Sequence, residues 1–252
     1  AGKTRRKRVT LRPIDPPVAF QRELWRLYLQ PVDAFAAFND RILDRYALEI
    51  VTDSPADVQN EIGQAESAAA RVVATLTPFM RDWAVRLERW HRMQWRERVL
   101  TPTGVDLNTV MTAGDVQETV EMALEWNANL IRDVPADLKK RVANAVFAGM
   151  QANAPVRETR AAIEEATGMA RRRAQLIARD QTAKMSARLD QARQQQAGIS
   201  KYEWRHSGKA HPRQQHVERN GQLYEWTDPP ADGHPGTQPY CGCKARASVD
   251  LS

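Results

Sequence analysis

Residues 170–198, ARRRAQLIARDQTAKMSARLDQARQQQAG, mark the boundary between two kinds of sequence in this chain. Apolar side chains recur along the stretch at helical spacing, and Gly198 supplies a helix stop. These side chains are Ala174, Ile177, Ala178, Met185 and Leu189. The pattern predicts a long helix over about 170–197, and no helical periodicity follows it.

The sequence before this helix predicts more helices, separated by proline and glycine signals. Three tryptophans at helical spacing, Trp83, Trp90 and Trp95, favour core or interface packing, with base stacking as the alternative. The predicted helices cover 21–47 with a break at Pro31, 57–76 after the Ser54-Pro55 start, a segment from Thr77-Pro78, 115–131, a segment from Pro135, and about 156–167 ending at Gly168.

The sequence after Gly198 is typical of strands and irregular loops. Residues 202–204 resemble a strand, and Asn220-Gly221 before the alternating residues 222–226 is a hairpin-turn signal. We therefore predict a mainly α protein, with a helical body and a small C-terminal α+β module containing a β-hairpin. The predicted domains are a basic N-terminal arm at 1–20, a helical domain at 21–153 and a C-terminal domain at 154–252.

The net charge of +6 is unevenly distributed along the chain. Residues 1–12 carry +6 with no acid, residues 13–156 carry −5, residues 157–219 carry +7 and the remainder carries −2. A basic arm without acids is typical of a tether for nucleic acid or another polyanion, the alternatives being a solubilising tail or an arm on an acidic protein surface. The candidate contacts are Lys3, Arg5, Arg6, Lys7, Arg8, Arg171, Arg172 and Arg173; for the last three a solvated helix face is the alternative.

Composition also argues against several classes of protein. No apolar run reaches the roughly 18 residues of a membrane span, and the N-terminus lacks the apolar stretch of a secretory signal. The chain contains two cysteines one residue apart, which excludes a disulfide-rich scaffold and predicts a reducing compartment. Motifs of P-loop NTPases, serine hydrolases and common zinc proteases are absent from the sequence. We expect no membrane partner.

The C-terminal module contains four of the five histidines and both cysteines. Thiolate and imidazole are the ligands that zinc prefers, and a small loop-rich module has little core of its own. The candidate ligands of a structural zinc are His216, Cys241, Cys243 and His234, with His211 as another choice for the fourth. The alternative is that the cysteines are small buried thiols and that no cofactor is bound.

A catalytic interpretation of the same histidines is possible. His211 and His216, with Asp228 or Asp232, offer the acid–base groups that a metal-dependent nuclease needs. The spacing matches no established nuclease motif, so we predict that the protein is not an enzyme and keep the nuclease as the alternative.

The ordered C-terminal motifs resemble one known family, the phage Mu F-like head morphogenesis (minor head protein) family of tailed bacteriophages. The resemblance covers about residues 155–252, including Ala178–Thr182. Its motifs are Tyr202–Gly208, Arg213-x-x-His216, Asn220-Gly221, Asp228-Pro229-Pro230, His234-Pro235-Gly236 and Cys241-Gly242-Cys243.

The resemblance implies a structural role in the virion. Such proteins are low-copy capsid components at the portal vertex that act in DNA packaging or ejection. Expected partners are therefore the portal protein, the major capsid or scaffolding protein, and double-stranded DNA. The expected location is the capsid interior near the portal, and the host cytoplasm during assembly.

Overall fold

The computed structural model describes residues 7–52, 56–103 and 116–251. Within those residues it is mainly helical, with one small antiparallel sheet, so the predicted fold class is confirmed. The helices are α1 (Val18–Ala36), α2 (Asn39–Thr52), α3 (Ala56–Thr75), α4 (Thr77–Thr103), α5 (Gln117–Arg132), α6 (Val134–Gln151), α7 (Val156–Gln196) and α8 (Gln214–Glu218). The strands are β1 (Lys7–Thr10), β2 (Lys201–Arg205), β3 (Leu223–Glu225) and β4 (Lys244–Leu251).

Two predicted helix interruptions are wrong, because buried neighbours outweigh the local signal. Pro31 lies inside α1 and is buried, and the chain turns only at Ala37 and Phe38. Gly168 lies inside α7, which runs unbroken from 156 to 196. A helical glycine costs only about 1 kcal/mol relative to alanine, and the preceding turn is anchored by buried Ile163. The Ser54-Pro55 start lies outside the described residues.

The described residues form two compact units, and neither is continuous in sequence. The predicted domains 1–20, 21–153 and 154–252 are continuous segments and stay a prediction. Helix α7 contributes residues to both units. Unit 1 contains the described residues of 1–20, 83–123 and 180–252, and unit 2 contains those of 21–82 and 124–179.

Unit 2 is a helical core. Apolar faces of α1, α2, α3, α6 and the first part of α7 bury a continuous cluster. Near-regular spacing of four residues places Leu138, Val142 and Val146 of α6 in this cluster, as the sequence predicts. Tyr28 is buried, and its hydroxyl lies 3.1 Å from the side-chain oxygen of Asn127.

Unit 1 contains the sheet, whose strand order is β1-β4-β2-β3 with antiparallel neighbours throughout. Strand β1 comes from the basic N-terminal segment and pairs Val9 with Val249 of β4. Leu11 and Ile14, just beyond β1, are buried against Trp95. Part of the segment predicted as an arm is thus built into the fold, whereas residues 1–6 lie outside the described residues.

The Asn220-Gly221 turn does not by itself join β2 to β3. Strands β2 and β3 do pair, but their connection contains α8. The Asn220 side chain accepts a hydrogen bond from the His206 backbone N–H at 2.9 Å, and the Gly221 N–H donates to the Trp204 carbonyl at 2.8 Å. Gly221 has φ +83°, which glycine tolerates without strain. The turn therefore returns the chain from α8 to the end of β2.

A buried ionic network links α4 to the end of α7 within unit 1. Arg193 is 1 % exposed, and its Nη2 lies 2.5 Å from Glu88 Oε1. Arg193 also donates to His91 Nδ1, and His91 Nε2 lies 3.2 Å from Asp190 Oδ1. Because arginine only donates, His91 Nδ1 carries no proton. Burial lowers the pKa of His91, and it lowers the pKa of Arg193 to about 10.

Among the described helices, none combines the length and apolar character needed to cross a lipid bilayer.

Candidate metal centre

The candidate site lies in the C-terminal part of unit 1, where three segments meet. Helix α8 carries His216, and the loop that leads into β4 carries Cys241 and Cys243. Strand β2 lies beneath them and contributes Trp204, whose ring packs edge-on against the His216 ring at 5.0 Å. All four side chains are buried. The local fold thus brings histidine and cysteine residues 25 or more positions apart in sequence to one place.

The imidazole of His216 faces both sulfur atoms. Its Nδ1 lies 3.5 Å from Cys241 Sγ and 3.6 Å from Cys243 Sγ. The three possible ligand atoms lie within 4.8 Å of one another. Both cysteines are free thiols. The arrangement is therefore a compact buried set of two sulfurs and one nitrogen.

Asp232 fixes the orientation of the imidazole from its other side. Its Oδ2 lies 2.9 Å from His216 Nε2, and its Oδ1 lies 2.5 Å from Arg219 Nη1. Burial alone would raise the pKa of Asp232, but hydrogen bonds from His216 and Arg219 outweigh it and lower that pKa. The ionised carboxylate favours a proton on Nε2 of His216. The lone pair of Nδ1 is then free to face the two sulfurs.

The two thiols are electrostatically unequal. A hydrogen bond from the Cys243 thiol, helped by the backbone N–H groups of Cys243 and Gly236, lowers the pKa of Cys241. The same thiol–thiolate hydrogen bond, together with burial, raises the pKa of Cys243. The two thiol pKa values are therefore shifted in opposite directions.

Gly236 of the His-Pro-Gly motif shapes the wall of the site. Its φ is +86°, and a Cβ placed there would lie 2.7 Å from Cβ of Ala187 on α7. Glycine is therefore required at this position for two reasons, the backbone conformation and the close approach to α7. This close approach places the Gly236 N–H where it reaches Cys241 Sγ.

The fourth candidate ligand, His234, lies outside the cluster formed by the other three. Its Nδ1 lies 3.1 Å from the Tyr202 hydroxyl, and its ring packs against Trp226 at 4.8 Å. His211 and Asp228, the other candidates for catalysis, are exposed. The structure instead adds Asp232 and Arg219 as supports. Sequence reasoning named Asp232 only as a possible catalytic partner and did not identify Arg219.

The predicted polyanion contacts are only partly described. Lys3, Arg5 and Arg6 lie outside the described residues, and for Lys7 and Arg8 only the backbone of β1 is described. Three exposed arginines lie on α7: Arg171 pairs with Asp33 at 2.8 Å, Arg173 pairs with Asp137, and Arg172 lies between them in sequence.

Comparison with known proteins places this site inside a recognisable segment. Residues 136–246 match the family described as "Phage Mu protein F like protein", so the resemblance predicted from the motifs is confirmed over those residues. An uncharacterised protein of Haemophilus influenzae is 35 % identical over 143 residues, which cover 56 % of this chain and 32 % of that protein. The chain thus spans about a third of the length of this relative. No solved structure matches.

Proposed function

We propose, on the premise that residues 136–246 form a Phage Mu F-like segment, that this protein is a structural component in head morphogenesis of a tailed bacteriophage. The match to that family is the observation that carries the proposal. It includes every motif from Ala178 to Cys243, and the last of these motifs lies in one buried cluster with His216.

The proposed place of action is the portal vertex, on the inside of the capsid, with assembly in the host cytoplasm. The portal protein is the proposed main partner, and the major capsid or scaffolding protein is a further one. The described surface offers several large apolar side chains for docking, among them half-exposed Trp126 and Phe79. Aromatic residues of this kind are enriched at protein interfaces.

The composition of the particle tests this role. We expect the protein to be found in purified virions at low copy, and to co-purify with the portal protein of the same phage when the two are co-expressed. The matched control is the major tail protein of that phage, which we expect not to be retained. The proposal would be contradicted if the portal protein did not co-purify with this protein and purified virions contained none of it.

We further propose that the basic segments contact packaged DNA. The support is the charge of these segments, since residues 1–12 carry +6. Arg171 and Arg173 form exposed ion pairs, and such pairs contribute only about 0–1 kcal/mol to stability. Phosphate groups can therefore compete for these arginines. Deletion of residues 1–6 removes three basic side chains and keeps every residue of β1.

With that deletion, we expect weaker binding to duplex DNA and a shallower salt dependence. The slope of log affinity against log salt should fall in magnitude by about 0.9 for each phosphate that the deleted side chains neutralise. Electrophoretic mobility shifts over a series of salt concentrations measure the slope. The same slope before and after deletion would show that residues 1–6 bind no phosphate.

The nuclease alternative gains no support from the geometry. Nuclease metals such as Mg²⁺ prefer carboxylate and water oxygens, whereas this cluster offers two sulfurs and one nitrogen. Asp232, the nearby carboxylate, is engaged by His216, Arg219 and Gln215. We therefore retain a structural role and propose no catalytic residue.

A further inference from the structure

We propose that His216, Cys241 and Cys243 bind one divalent transition-metal ion, with zinc as the best match, through Nδ1 and the two Sγ atoms. This site is independent of the proposed role in the phage head, because it rests on the geometry of three side chains alone. Imidazole with thiolates is the ligand combination that zinc prefers, and it disfavours Mg²⁺ and Ca²⁺.

The two nitrogen–sulfur distances fit a tetrahedral ion. With Zn–S of about 2.3 Å and Zn–N of about 2.0–2.1 Å, tetrahedral geometry places nitrogen and sulfur ligands roughly 3.5 Å apart. The observed separations from His216 Nδ1 are 3.5 Å to Cys241 Sγ and 3.6 Å to Cys243 Sγ.

The surroundings of the three ligands also suit a metal. Asp232 accepts from Nε2 of His216, the orienting contact that metal-binding histidines commonly make. Backbone N–H groups of Gly236 and Cys243 point at the Cys241 sulfur. Cysteine binds a metal as the thiolate, so binding would release thiol protons.

The site would join three elements of a small module. An ion held by His216 of α8 and by the two cysteines before β4 links these segments over Trp204 of β2. Among the described His, Cys, Asp and Glu side chains, the cluster contains no fourth ligand. The fourth position is therefore assigned to a solvent molecule.

The experiment uses the full chain, reduced and stripped of metal, and titrates it with Co²⁺ and then Zn²⁺. We expect about one equivalent of Co²⁺ to give sulfur-to-cobalt charge-transfer absorption and the intense visible bands of a tetrahedral site, and Zn²⁺ to displace it. Elemental analysis of protein purified without chelator should find about one zinc per chain. These measurements on the unmodified protein do not depend on any variant folding.

Variants identify the ligands. Cys243→Ser and His216→Ala should abolish the cobalt spectrum, and Asp232→Asn, which keeps the side-chain shape, should weaken affinity by roughly 10–100-fold. The matched control is His234→Ala, in the same module but outside the cluster, and we expect it to leave metal affinity unchanged. Circular dichroism verifies that each variant is folded.

Two results would overturn the proposal. One is an unmodified protein with two titratable thiols that gives no cobalt spectrum and contains no zinc. The other is loss of the metal in His234→Ala with retention in Cys243→Ser, which would assign a different ligand set. If metal binding is absent but the portal protein co-purifies, the proposed head role is still supported. If metal binds but the portal protein does not co-purify, the proposed metal site is still supported.

Discussion

Arg193→Ala should lower the free energy of unfolding by about 3–5 kcal/mol, the range for removing one partner of a buried ion pair. Arg193 is 1 % exposed and lies between Glu88 and His91 of α4. Alanine would leave the Glu88 carboxylate, which is 7 % exposed, without its buried cation. Asp190 would lose a nearby positive charge as well. Of the cations that the structure describes, Glu88 would keep only Arg92, whose Nε lies 3.8 Å away, so the cost comes mainly from a buried carboxylate that has lost its nearest cation.

The matched control is Arg171→Ala on the same helix. Arg171 also forms an arginine–aspartate pair, with Asp33, but its side chain is 49 % exposed. An exposed pair contributes about 0–1 kcal/mol, so the difference between the two variants isolates burial. Urea denaturation followed by circular dichroism measures both. Equal losses for the two variants would contradict the buried network, and Arg193→Lys, which keeps the charge, should fall between Arg193→Ala and the unmodified protein.

The contrast between these two arginines also shows how far periodicity can predict a structure. The apolar stripe of α7 was readable from the sequence, and Ala174, Ala178 and Leu189 are buried as that stripe requires. The burial of Arg193 was not readable, because its partner Glu88 lies 105 residues away in α4. A sequence window shows an arginine on the polar side of a helix. Only the packed fold supplies the carboxylate that lets it be buried.

The sheet was predicted incompletely for a related reason. Strand β2 was visible from its local alternation, but β1 lies in a segment dominated by lysine and arginine. Its partner β4 is about 240 residues further along the chain. Charge therefore indicated an arm, whereas long-range pairing makes residues 7–10 an edge strand with Leu11 and Ile14 buried beside it.

The candidate metal centre was more predictable than the sheet. The chemistry of cysteine and histidine was enough to select Cys241, Cys243 and His216, and the structure brings these three together. It was not enough to choose the remaining histidine, since His234 packs on Tyr202 and Trp226 instead. Side-chain chemistry narrows the set of candidate ligands, and the direction in which each side chain points depends on the loop around it.

Trp83→Ala is the second large prediction, with an expected loss of about 3–5 kcal/mol in unfolding free energy. Trp83 is 1 % exposed, and its indole N–H donates to the Phe20 carbonyl at 2.9 Å. The substitution removes a large buried side chain together with this hydrogen bond. Trp90, also predicted as core, is only half-buried, so Trp90→Ala should cost less.

Two substitutions separate volume from hydrogen bonding at Trp83. Trp83→Phe keeps much of the buried aromatic side chain and loses the N–H donor to the Phe20 carbonyl, so we expect a loss nearer 1 kcal/mol, about the net contribution of one hydrogen bond. Trp126→Ala makes the same chemical change at a side chain that is 51 % exposed, and we expect a clearly smaller loss because less apolar area is buried. Urea denaturation followed by circular dichroism avoids the change in fluorescence that loss of a tryptophan causes. If Trp83→Ala proved as mild as Trp126→Ala, the Trp83 side chain would be accessible in solution, and it would then have to be reassigned from core to interface.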